Sequence, residues 1–565
     1  ALPDTIEEFE ALFIDSTKQV QNMNMFKRRI LGLTSYFHSA QEGLMPNYEK
    51  KSDFIIVRIP MSLFQFNVYE EARVEERDQE KANAKKKAKG KKKKEDDTIY
   101  DEVSSTYRIF SRLFCNFVFP HPAIKRPMPS GDDSTIKNEL SNKTNDEDII
   151  DVVSDEEKLA NTDGKYEADD IFQDEEDKAE ESGDAKKELS KKQQRILYEK
   201  SIVTALKKLS DERDTYLTPE ALQIYSPKFL SILENIKNPS HKGLHLIYSQ
   251  FRTLEGIGIL KLVLETNGFV QFKIIKEGDT WKLATPESDL HKPSFVLYTG
   301  TETNEEKEII RNVFNGNWKF VPEQIKTKIE KRANNNMYGD IIKVFMITAS
   351  GAEGISLENV RYVHITEPYW HPVRIEQVVG RARRICSHQY LPEELRTVQV
   401  FLYLMVLSDA QKKSDSSIAL RMNDVSKLDS KTPVTTDEAL HEIATIKESI
   451  SEKLLEAVKE SAIDCALHTN KKSKEQLKCF TFGSSDPSKF SYKPNINEED
   501  SDEVSDKNKK SISWKGFDVT INKVNYVRNS ITNEIFDYDS YYRGTPIKIG
   551  DLVLNEDGTY KLNKI

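Results

Sequence analysis

The sequence predicts an α/β fold in which a parallel sheet is covered by helices on both faces, with helical, charged and β-rich segments around it. From Gly243 to about Leu407, short apolar runs such as LHLIY, FVLYT and VQVFLYL alternate with helical stretches. This alternation is typical of parallel sheets whose strands are buried on both sides. The last residues, Ser511 to Ile565, alternate between apolar and polar instead and predict a small β module.

Composition predicts folded parts joined by charged segments. The chain has 565 residues, which is long enough for several domains, and 31% of them are charged and lie in blocks. The net charge of -10 argues against a uniformly basic protein that coats nucleic acid, although a local groove can still attract phosphates. Partners must therefore be inferred from motifs.

The cysteines and the apolar runs indicate which cellular compartment to expect and whether the chain crosses a membrane. The four cysteines form no CxxC pair, so neither a disulfide framework nor a zinc ribbon is predicted, and an intracellular, reducing environment is expected. The longest apolar stretch, Val398 to Leu407, is far shorter than the roughly 20 residues that span a bilayer. No membrane segment is predicted.

The first part of the chain predicts helices around one strand. Asp4–Asp15 has helical spacing of apolar residues, and FIIVRI, closed by Pro60, predicts a strand. A helix is predicted to begin at Ser62 and to end where the lysine run Lys85–Lys94 begins. A second helix, Thr98–Phe119, would return antiparallel to the first. The lysine run could be a targeting or phosphate-binding patch, but a solvated loop is the favoured interpretation.

Charged segments and further helices surround the α/β core. Pro129 to about Gly183 is rich in Asp, Glu, Ser, Asn and Lys and predicts a disordered acidic insertion. Helical periodicity returns from Lys191 to Ile236 and again from Thr436 to Phe482, and Asn495–Lys510 is an acidic linker.

The strongest functional pattern is the stretch from Thr348 to Arg384, TASGAEGISLENVRYVHITEPYWHPVRIEQVVGRARR. A strand ending at Thr348 leads into a loop with Gly351 and Gly354, which can turn sharply and direct backbone N–H groups at an anion. In open α/β sheets, ligands bind beyond the carboxyl ends of strands, where this loop must lie. Taken alone, most such loops are only turns.

The second half of the stretch adds basic groups. Gln377, Gly380, Arg381 and Arg384 form Q-x-x-G-R-x-x-R on a predicted helix, which places the two arginines on one face. Guanidinium groups so placed can stabilise charge on a transferring γ-phosphoryl group. A solvated basic face is the alternative, and the preceding loop makes the catalytic interpretation the stronger one.

The stretch resembles motifs V and VI of superfamily 2 helicases, in particular the Swi/Snf-type branch. Thr348, the loop glycines, Trp370, Gln377 and both arginines match at the family's spacing, whereas the sequence departs from the pattern at Ser356, His371, Cys386 and Ser387. Upstream, LIYSQF resembles motif IV, and Tyr298-Thr299-Gly300 resembles the next block of the family. Strand-to-helix turn chemistry is the competing interpretation of both upstream segments.

The resemblance implies roles for particular residues. Arg381 and Arg384 would be catalytic and reach the γ-phosphate of ATP bound between two lobes. Nucleotide-binding candidates are Gly351, Glu353, Gly354 and Gln377. Candidates for nucleic-acid contact are Ser249, Gln250, Thr299, Gly300, Thr348 and Trp370. Such contacts would be mainly to phosphates and hence independent of base sequence.

Two further segments narrow the resemblance. FKRRILGLTSYF (Phe26–Phe37) and KESAIDC (Lys459–Cys465) are similar to those of helicases in nucleocytoplasmic large DNA viruses. These are related to poxvirus nucleoside triphosphate phosphohydrolase I and the small early transcription factor subunit. The resemblance implies a virion or host cytoplasmic factory as the location.

The motifs of a first lobe are not found in the sequence. No Gly-Lys-Ser/Thr loop follows a strand, and the near-match DEALH (Asp437–His441) follows KTPVTT and predicts a helix start instead. The chain begins ALPDTIEEFE, without an initiator Met or a signal pattern, and we expect it to be the remainder of a longer polypeptide. ATP and Mg²⁺ would be held mainly by a first lobe encoded upstream or supplied separately, so this chain should not hydrolyse ATP unaided.

These observations predict an organisation and a function. The predicted parts are residues 1–53, the trailing end of a first RecA-like lobe; 54–125, a helical protrusion and interlobe connector; 126–190, the disordered insertion; 191–410, a second RecA-like lobe; 411–485, a helical extension; 486–512, a linker; and 513–565, the β module. The leading hypothesis is half of a DNA-dependent ATPase that acts on double-stranded DNA, in viral transcription or DNA remodelling, with transcription machinery as a possible partner. The alternative is a non-catalytic helicase-like scaffold.

Overall fold

A computed structural model of the chain shows how these elements assemble. It describes residues 2–15, 17–35, 44–90, 108–128, 185–299, 302–348, 354–414, 418–429, 431–465, 479, 516–521, 524–529, 532–542, 547–554 and 560–564. The chain divides into two compact units, the larger formed by Ser39–Ser451 and the smaller by Ala1–His38 together with Glu452–Ile565. The predicted acidic insertion and linker lie outside the described residues, apart from the helix that begins at Ala185 and residues 126–128.

The larger unit contains a parallel sheet of seven strands. In chain order the strands of this unit are β1 (Phe54–Pro60), β2 (Leu244–Tyr248), β3 (Val270–Gln271), β4 (Ile274–Glu277), β5 (Thr280–Leu283), β6 (Ser294–Tyr298), β7 (Val344–Ile347), β8 (Val360–Ile365) and β9 (Gln399–Val406). The order across the sheet is β1-β9-β8-β2-β7-β6-β3, with every neighbouring pair parallel, and β4 and β5 form a separate antiparallel hairpin. The predicted α/β class is confirmed.

Helices occupy most of the remaining described chain. They are α1 (Ile6–Phe13), α2 (Met23–Ile30), α3 (Lys50–Asp53), α4 (Leu63–Gly90), α5 (Ile109–Asn116), α6 (Ala185–Asp211), α7 (Arg213–Tyr216), α8 (Pro219–Tyr225), α9 (Pro227–Lys237), α10 (Ile257–Thr266), α11 (Asn304–Asn315), α12 (Glu323–Glu330), α13 (Pro372–Ala382), α14 (Asp409–Lys413), α15 (Ile418–Asn423), α16 (Thr436–Glu460) and α17 (Tyr538–Tyr542). Among the described residues, none of these helices is long and apolar enough to cross a bilayer.

The sheet is buried on both faces. Alternate residues of β9 enter two different apolar cores, with Phe401, Tyr403 and Met405 in one and Val400, Leu402 and Leu404 in the other. Apolar residues of α9 and α10 complete the first core, and those of α11, α12 and α13 complete the second. Because side chains alternate across a strand, a strand buried on both faces must be apolar throughout, which is why VQVFLYL has no polar alternation.

The helices α4 and α5 form the predicted antiparallel pair. Near the start of α4, the amide of Gln65 donates to the carbonyl of Phe114 (2.8 Å). Further along α4, the carboxylate of Glu76 accepts from the N–H of Phe110 (2.9 Å). A later residue of α4 thus contacts an earlier residue of α5, which shows that the two helices are antiparallel. The lysine run Lys85–Lys94 was predicted to be a loop, but α4 continues through it to Gly90, and residues 91–107 lie outside the described part of the chain.

Asn47 and the residues of β1 pair with the chain around β9, at one side of the sheet. The backbone N–H of Asn47 donates to Arg396 O (2.7 Å), and Val398 N donates back to Asn47 O (3.1 Å). The chain then enters β1, which pairs in parallel with β9 from Phe54 to Pro60 and forms the sheet edge. The sequence predicted the strand but not its neighbour.

In the smaller unit, α1, α2 and the last turns of α16 enclose a small core of Phe13, Phe26, Ile30 and Ala457. The helix predicted over Asp4–Asp15 is confirmed, and the hydroxyl of Thr5 caps it by accepting from Glu8 N. A disulfide joins Cys465 and Cys479, so the expectation of no disulfide was wrong. Spacing of 14 residues gives no sign of this pair, because the fold between them decides whether their Cα atoms approach.

The C-terminal residues form the predicted β module. Its strands are β10 (Gly516–Ile521), β11 (Val524–Asn529), β12 (Glu534–Asp537), β13 (Lys548–Leu554) and β14 (Tyr560–Lys564), and they pair in chain order as an antiparallel sheet. Val527 and Ile535 are fully buried in its core. Alternation of apolar and polar residues was therefore a sufficient signal here.

Candidate functional site

Four neighbouring strands end together at one edge of the sheet, and most of the predicted functional residues follow them. The sequence of strands is β8, β2, β7 and β6, and they are followed by Glu367, Ser249, Thr348 and Thr299 respectively. Backbone bonds continue the ladder into this region, from Ser249 N to Ile347 O (3.2 Å) and from Thr366 N to Tyr248 O (3.0 Å). Segments separated by up to about a hundred residues in sequence are thus adjacent, as expected for a ligand-binding edge.

Arg381 and Arg384 both turn toward the loop that follows β7. Arg384 Nη2 donates to the carbonyl of Ile355 at 2.9 Å, and Arg381 Nη1 lies 3.5 Å from the same oxygen. Both side chains are half-buried. Within the described part of the chain, no carboxylate lies within ion-pair distance of Arg384. Two guanidinium groups therefore converge at the glycine-bearing loop.

The local sequence explains the position of these arginines. Pro372 occupies the first turn of α13, where its missing N–H costs nothing, and residues at helical spacing such as Ile375, Val379 and Ala382 bury one face. The helix ends at Ala382, so the prediction that Arg384 lies on it was wrong. Arg384 instead belongs to the turn that follows, and its guanidinium reaches back to the loop.

The predicted nucleotide-binding residues are only partly described. Gly351, Glu353 and the nearby Gly300 lie outside the described residues. Gly354 has a φ of +72° and open space around it, a conformation that favours glycine. Gln377 is exposed on α13, four residues before Arg381 and hence on the same helix face.

The turn after β2, residues Ser249–Phe251, is held from inside by Glu367. The hydroxyl of Ser249 donates to Glu367 Oε1 (2.5 Å), and the backbone N–H of Gln250 donates to Oε2 (3.0 Å). Ser249 is fully buried. A direct contact of its hydroxyl with nucleic acid, as the sequence predicted, would require this bond to open.

The side chain of Gln250 is also engaged in the structure. Arg112 donates to its amide oxygen, and its amide nitrogen donates to Pro368 O (3.2 Å). The guanidinium of Arg112 lies 5.1 Å from the ring centre of Phe251. Burial lowers the pKa of Arg112, and the nearby Glu367 carboxylate opposes that shift.

A second carboxylate holds the turn after β6. Glu302 accepts from the N–H of Thr299 (2.9 Å) and from its hydroxyl (3.1 Å). The hydroxyl of Thr348, at the end of the neighbouring strand, donates to Thr299 O (3.2 Å). Both threonines are almost fully buried, so the two turns are tied together through their own polar groups.

Trp370 lies in an aromatic and basic group beside this edge. Its ring packs edge-on against Tyr369, with centres 5.5 Å apart. The ammonium of Lys447 lies 5.4 Å from the Trp370 ring, and the guanidinium of Arg374 lies 4.3 Å from the Tyr369 ring. Burial lowers the pKa of Lys447, and repulsion by Lys427 lowers it further. Half-buried aromatic rings with cations over them are suited to a polyanionic ligand.

Sequence reasoning missed the carboxylates Glu302 and Glu367. Burial raises the pKa of Glu367, and its bonds to Ser249 and Gln250 oppose that shift. Glu367 follows the strand YVHIT at the same edge as the predicted residues, so its position could have suggested a role. Its partners Asn116 and Lys228 lie far away in sequence, and nothing in the sequence connects them to this edge.

Part of this α/β domain matches a known family model. Residues 295–386 match the helicase conserved C-terminal domain. The match covers β6 to the turn after α13, which includes Arg381 and Arg384.

Viral helicases are among the similar proteins. The protein named ATP-dependent RNA helicase R350 of Acanthamoeba polyphaga mimivirus is 28% identical over 96% of this chain and 60% of its own length. The mimivirus protein named R563 is 24% identical over 73% of this chain and 50% of its own length. A termination factor NPH-I homolog of African swine fever virus is 32% identical over 43% of this chain and 33% of its own length. The chain thus spans between a third and three fifths of these relatives.

The predicted resemblance to superfamily 2 helicases of large DNA viruses is confirmed by these relatives. A crystal structure of the C-terminal part of the Fun30 ATPase domain is also similar, with 15% identity, a TM-score of 0.31, and coverage of 72% of this chain and 98% of that one. The assignment of fold class depends on the parallel sheet itself.

Proposed function

We propose that this chain supplies the second lobe of a nucleic-acid-dependent nucleoside triphosphatase that translocates along DNA. The observation that carries the proposal is the convergence of Arg381 and Arg384 on the carbonyl of Ile355, beside the loop that begins after Thr348. In this role the nucleotide is ATP with Mg²⁺, held mainly by a first lobe. The two guanidinium groups would stabilise the charge that develops on the γ-phosphoryl group.

The contact with Ile355 O supports this role in two ways. A neutral carbonyl orients the guanidinium of Arg384 without cancelling its charge, whereas a buried ion pair would cancel it. The same carbonyl belongs to the loop that contains the candidates Gly351, Glu353 and Gly354. A change in that loop would therefore be transmitted to the arginines directly.

Nucleic acid would lie along the edge formed by the ends of β6, β7, β2 and β8. We propose double-stranded DNA as the substrate and viral transcription or DNA remodelling as the process, because relatives include a termination factor homolog from a DNA virus. Other relatives bear the name RNA helicase, so an RNA duplex serves as the comparison ligand in the binding test. Contacts to phosphates predict affinity that falls steeply with salt.

The test is Arg384→Ala in the protein that combines this chain with a first lobe. We expect DNA-stimulated ATP hydrolysis to fall by about a thousandfold or more, the usual effect of losing an arginine that stabilises the transferring phosphoryl group. Affinity for a DNA duplex, measured by fluorescence anisotropy, should be retained, because the arginine faces the nucleotide and not the nucleic acid.

The neighbouring Arg383 provides the matched control. Its guanidinium packs 4.2 Å from the ring centre of Tyr48 instead of facing the loop, so Arg383→Ala should keep its turnover. Unchanged turnover in Arg384→Ala, or an equal loss in Arg383→Ala, would refute the role given to Arg384. If no first lobe restores hydrolysis to the unsubstituted chain while DNA binding persists, the scaffold alternative is the better description.

A further inference from the structure

A buried polar network extends from the turn Ser249–Phe251 to three helices that come from distant parts of the chain. Glu367 is at its centre and is 1% exposed. We propose that Glu367 is a positioning residue that sets the conformation of this turn and couples it to α5, α9 and α16. The positioning role itself does not depend on the proposed function; only the assignment of the turn to nucleic-acid binding rests on it.

Glu367 holds the turn itself. The carboxylate of Glu367 accepts from both Ser249 Oγ and Gln250 N, as described above. The hydroxyl of Ser249 in turn accepts from the N–H of Phe251 (3.1 Å). Glu367 therefore accepts the backbone N–H of Gln250 directly, and it also fixes the hydroxyl that accepts the next backbone N–H, that of Phe251. A turn held in this way has few conformations left to adopt.

Asn116 and Arg112 connect the turn to α5. The side-chain nitrogen of Asn116, the last residue of α5, donates to Glu367 Oε1 (2.6 Å) and also lies 2.9 Å from Glu255 O. Asn116 is fully buried. The same helix carries Arg112, which donates to the amide oxygen of Gln250. Movement of α5 would therefore displace groups that touch the turn at two points.

Lys228 extends the network to α9 and α16. Lys228, in the first turn of α9, donates from Nζ to Asn116 Oδ1 (2.9 Å) and to Asp437 Oδ2 (2.7 Å). Asp437, at the start of α16, also accepts from the backbone N–H of Met405 in β9 (3.0 Å). Lys228 is fully buried and Asp437 is 1% exposed. The network thus runs from a strand end, through four side chains, to the adjoining part of the sheet.

The acidic and basic groups of the network balance each other in number. Two acidic groups, Glu367 and Asp437, face two basic groups, Lys228 and Arg112, within one buried region. Buried charges are tolerated when they are paired and their remaining hydrogen-bonding capacity is used. An apolar residue at Glu367 would fill the same space, but it could not hold three donors. Orientation of the turn is the property that only the carboxylate provides.

The consequence for function is coupling between the α4–α5 pair and the nucleic-acid edge. Because α5 contacts the turn directly through Arg112 and indirectly through Asn116 and Glu367, a partner that displaces the pair would alter how the turn meets a phosphate. The carboxylate does not need to contact nucleic acid to have this effect. Its removal should change the exchange of the turn's own amide hydrogens and the affinity that depends on the turn.

The test is Glu367→Gln in the full 565-residue chain. The amide has nearly the same shape, but its NH2 group would face Gln250 N in one placement and both Ser249 Oγ and Asn116 Nδ2 in the other. We expect amide hydrogen exchange at Gln250 and Phe251 to become faster by about tenfold or more, the factor for losing one bond to a charged acceptor. Exchange is measured by mass spectrometry on peptides that contain these amides.

Glu442→Gln is a closely matched control. Glu442 accepts from the hydroxyl of Ser426 (2.7 Å) and from the N–H of Lys427 (3.0 Å), which is the same pattern on a different turn of the same unit. This variant should accelerate exchange at Lys427 and leave Gln250 and Phe251 unchanged. A merely global loss of stability would instead accelerate exchange at both turns in both variants.

Affinity for a fluorescein-labelled DNA duplex gives the second readout. We expect Glu367→Gln to weaken binding by about tenfold and Glu442→Gln to leave it unchanged. Ser249→Ala, a smaller change, should weaken binding in the same direction. The double variant Ser249→Ala/Glu367→Gln should be no weaker than Glu367→Gln alone, because both act through one turn.

Each outcome decides between the proposals. Unchanged exchange at Gln250 and Phe251 in Glu367→Gln, or additive losses of affinity in the double variant, would overturn the positioning role. Absence of any DNA affinity in the unsubstituted chain would overturn the nucleic-acid assignment instead. In that case the exchange measurement still determines whether Glu367 sets the turn.

Discussion

The buried ion pair between Lys228 and Asp437 provides a sharp test of the packing described above. We consider Lys228→Met, which keeps an unbranched side chain of similar length and removes only the charge and its donors. The two side chains are 0% and 1% exposed, and their charged atoms are 2.7 Å apart. After the substitution, the carboxylate of Asp437 keeps its bond to Met405 N but loses its counter-charge.

The magnitude follows from this geometry. Breaking a buried pair by removing one partner leaves a charge uncompensated and costs about 3–5 kcal/mol. The carbonyl oxygen of the Asn116 side chain also loses its Lys228 donor, which places the expected loss in the upper half of that range. Because methionine preserves most of the buried aliphatic part of the lysine side chain, the lost free energy of unfolding comes from removal of the charge and not from a cavity.

Urea unfolding followed by tryptophan fluorescence is a suitable assay, because the larger unit contains Trp281, Trp318 and Trp370. Lys228→Met/Asp437→Asn should recover a large part of the lost free energy of unfolding, since the amide keeps an acceptor for Met405 N without a charge. The control is Lys276→Ala, which breaks a pair of the same 2.7 Å length in which both side chains are exposed, and we expect little change there. The reasoning would be refuted if the free energy of unfolding of Lys228→Met were within about 1 kcal/mol of that of the unsubstituted protein. A double variant less stable than Lys228→Met alone would refute it as well.

Two further predictions concern the sheet and the turn. Burial lowers the pKa of His364 to about 3, well below that of the unfolded chain, so the unfolded state binds the extra proton and stability is lost as pH falls from about 6.5 toward 3. His364→Gln should therefore flatten the dependence of unfolding free energy on pH between 5 and 6.5 by up to about 1.4 kcal/mol per pH unit, as measured by urea unfolding, and an unchanged slope would contradict this. At Gly256, an added Cβ would lie 1.8 Å from Phe251 O, so Gly256→Ala should cost about 1–3 kcal/mol or more and shift the thermal midpoint down. Gly380→Ala, at a helix position where the added Cβ meets no atom within 4 Å apart from the helix's own nearby backbone, should be neutral or stabilising, and equal midpoints for the two variants would count against the steric argument.

The sheet could be predicted from the sequence because its signals are local. Runs such as YVHIT and VFMIT are apolar throughout, and a strand buried on both faces leaves no other pattern. The direction of the strands followed from the helices between them. The placement of β1 beside β9 could not be predicted, because more than three hundred residues separate them and no local pattern specifies a neighbour.

The candidate site was predictable only in part, for a related reason. Motif spacing identified Arg381, Arg384 and the strand ends, all of which lie within short segments. The supporting network joins residues from α5, α9 and α16 to Glu367, and each of these polar residues looks in isolation like an ordinary helix residue. The prediction that Asp437 begins a helix was right, yet its carboxylate is buried against Lys228 instead of facing solvent.

The charges behind the candidate nucleic-acid edge constrain what that edge can do. A lone carboxylate behind the turn Ser249–Phe251 would repel a phosphate backbone, but Lys228 and Arg112 balance Glu367 and Asp437. The buried network therefore contributes orientation and little net attraction. Attraction must come from cations near the surface, such as Arg374, which is partly exposed over the ring of Tyr369; Lys447, over the ring of Trp370, is itself buried. Salt should consequently weaken binding through these surface cations, while the geometry of the turn, protected inside the lobe, stays insensitive to it.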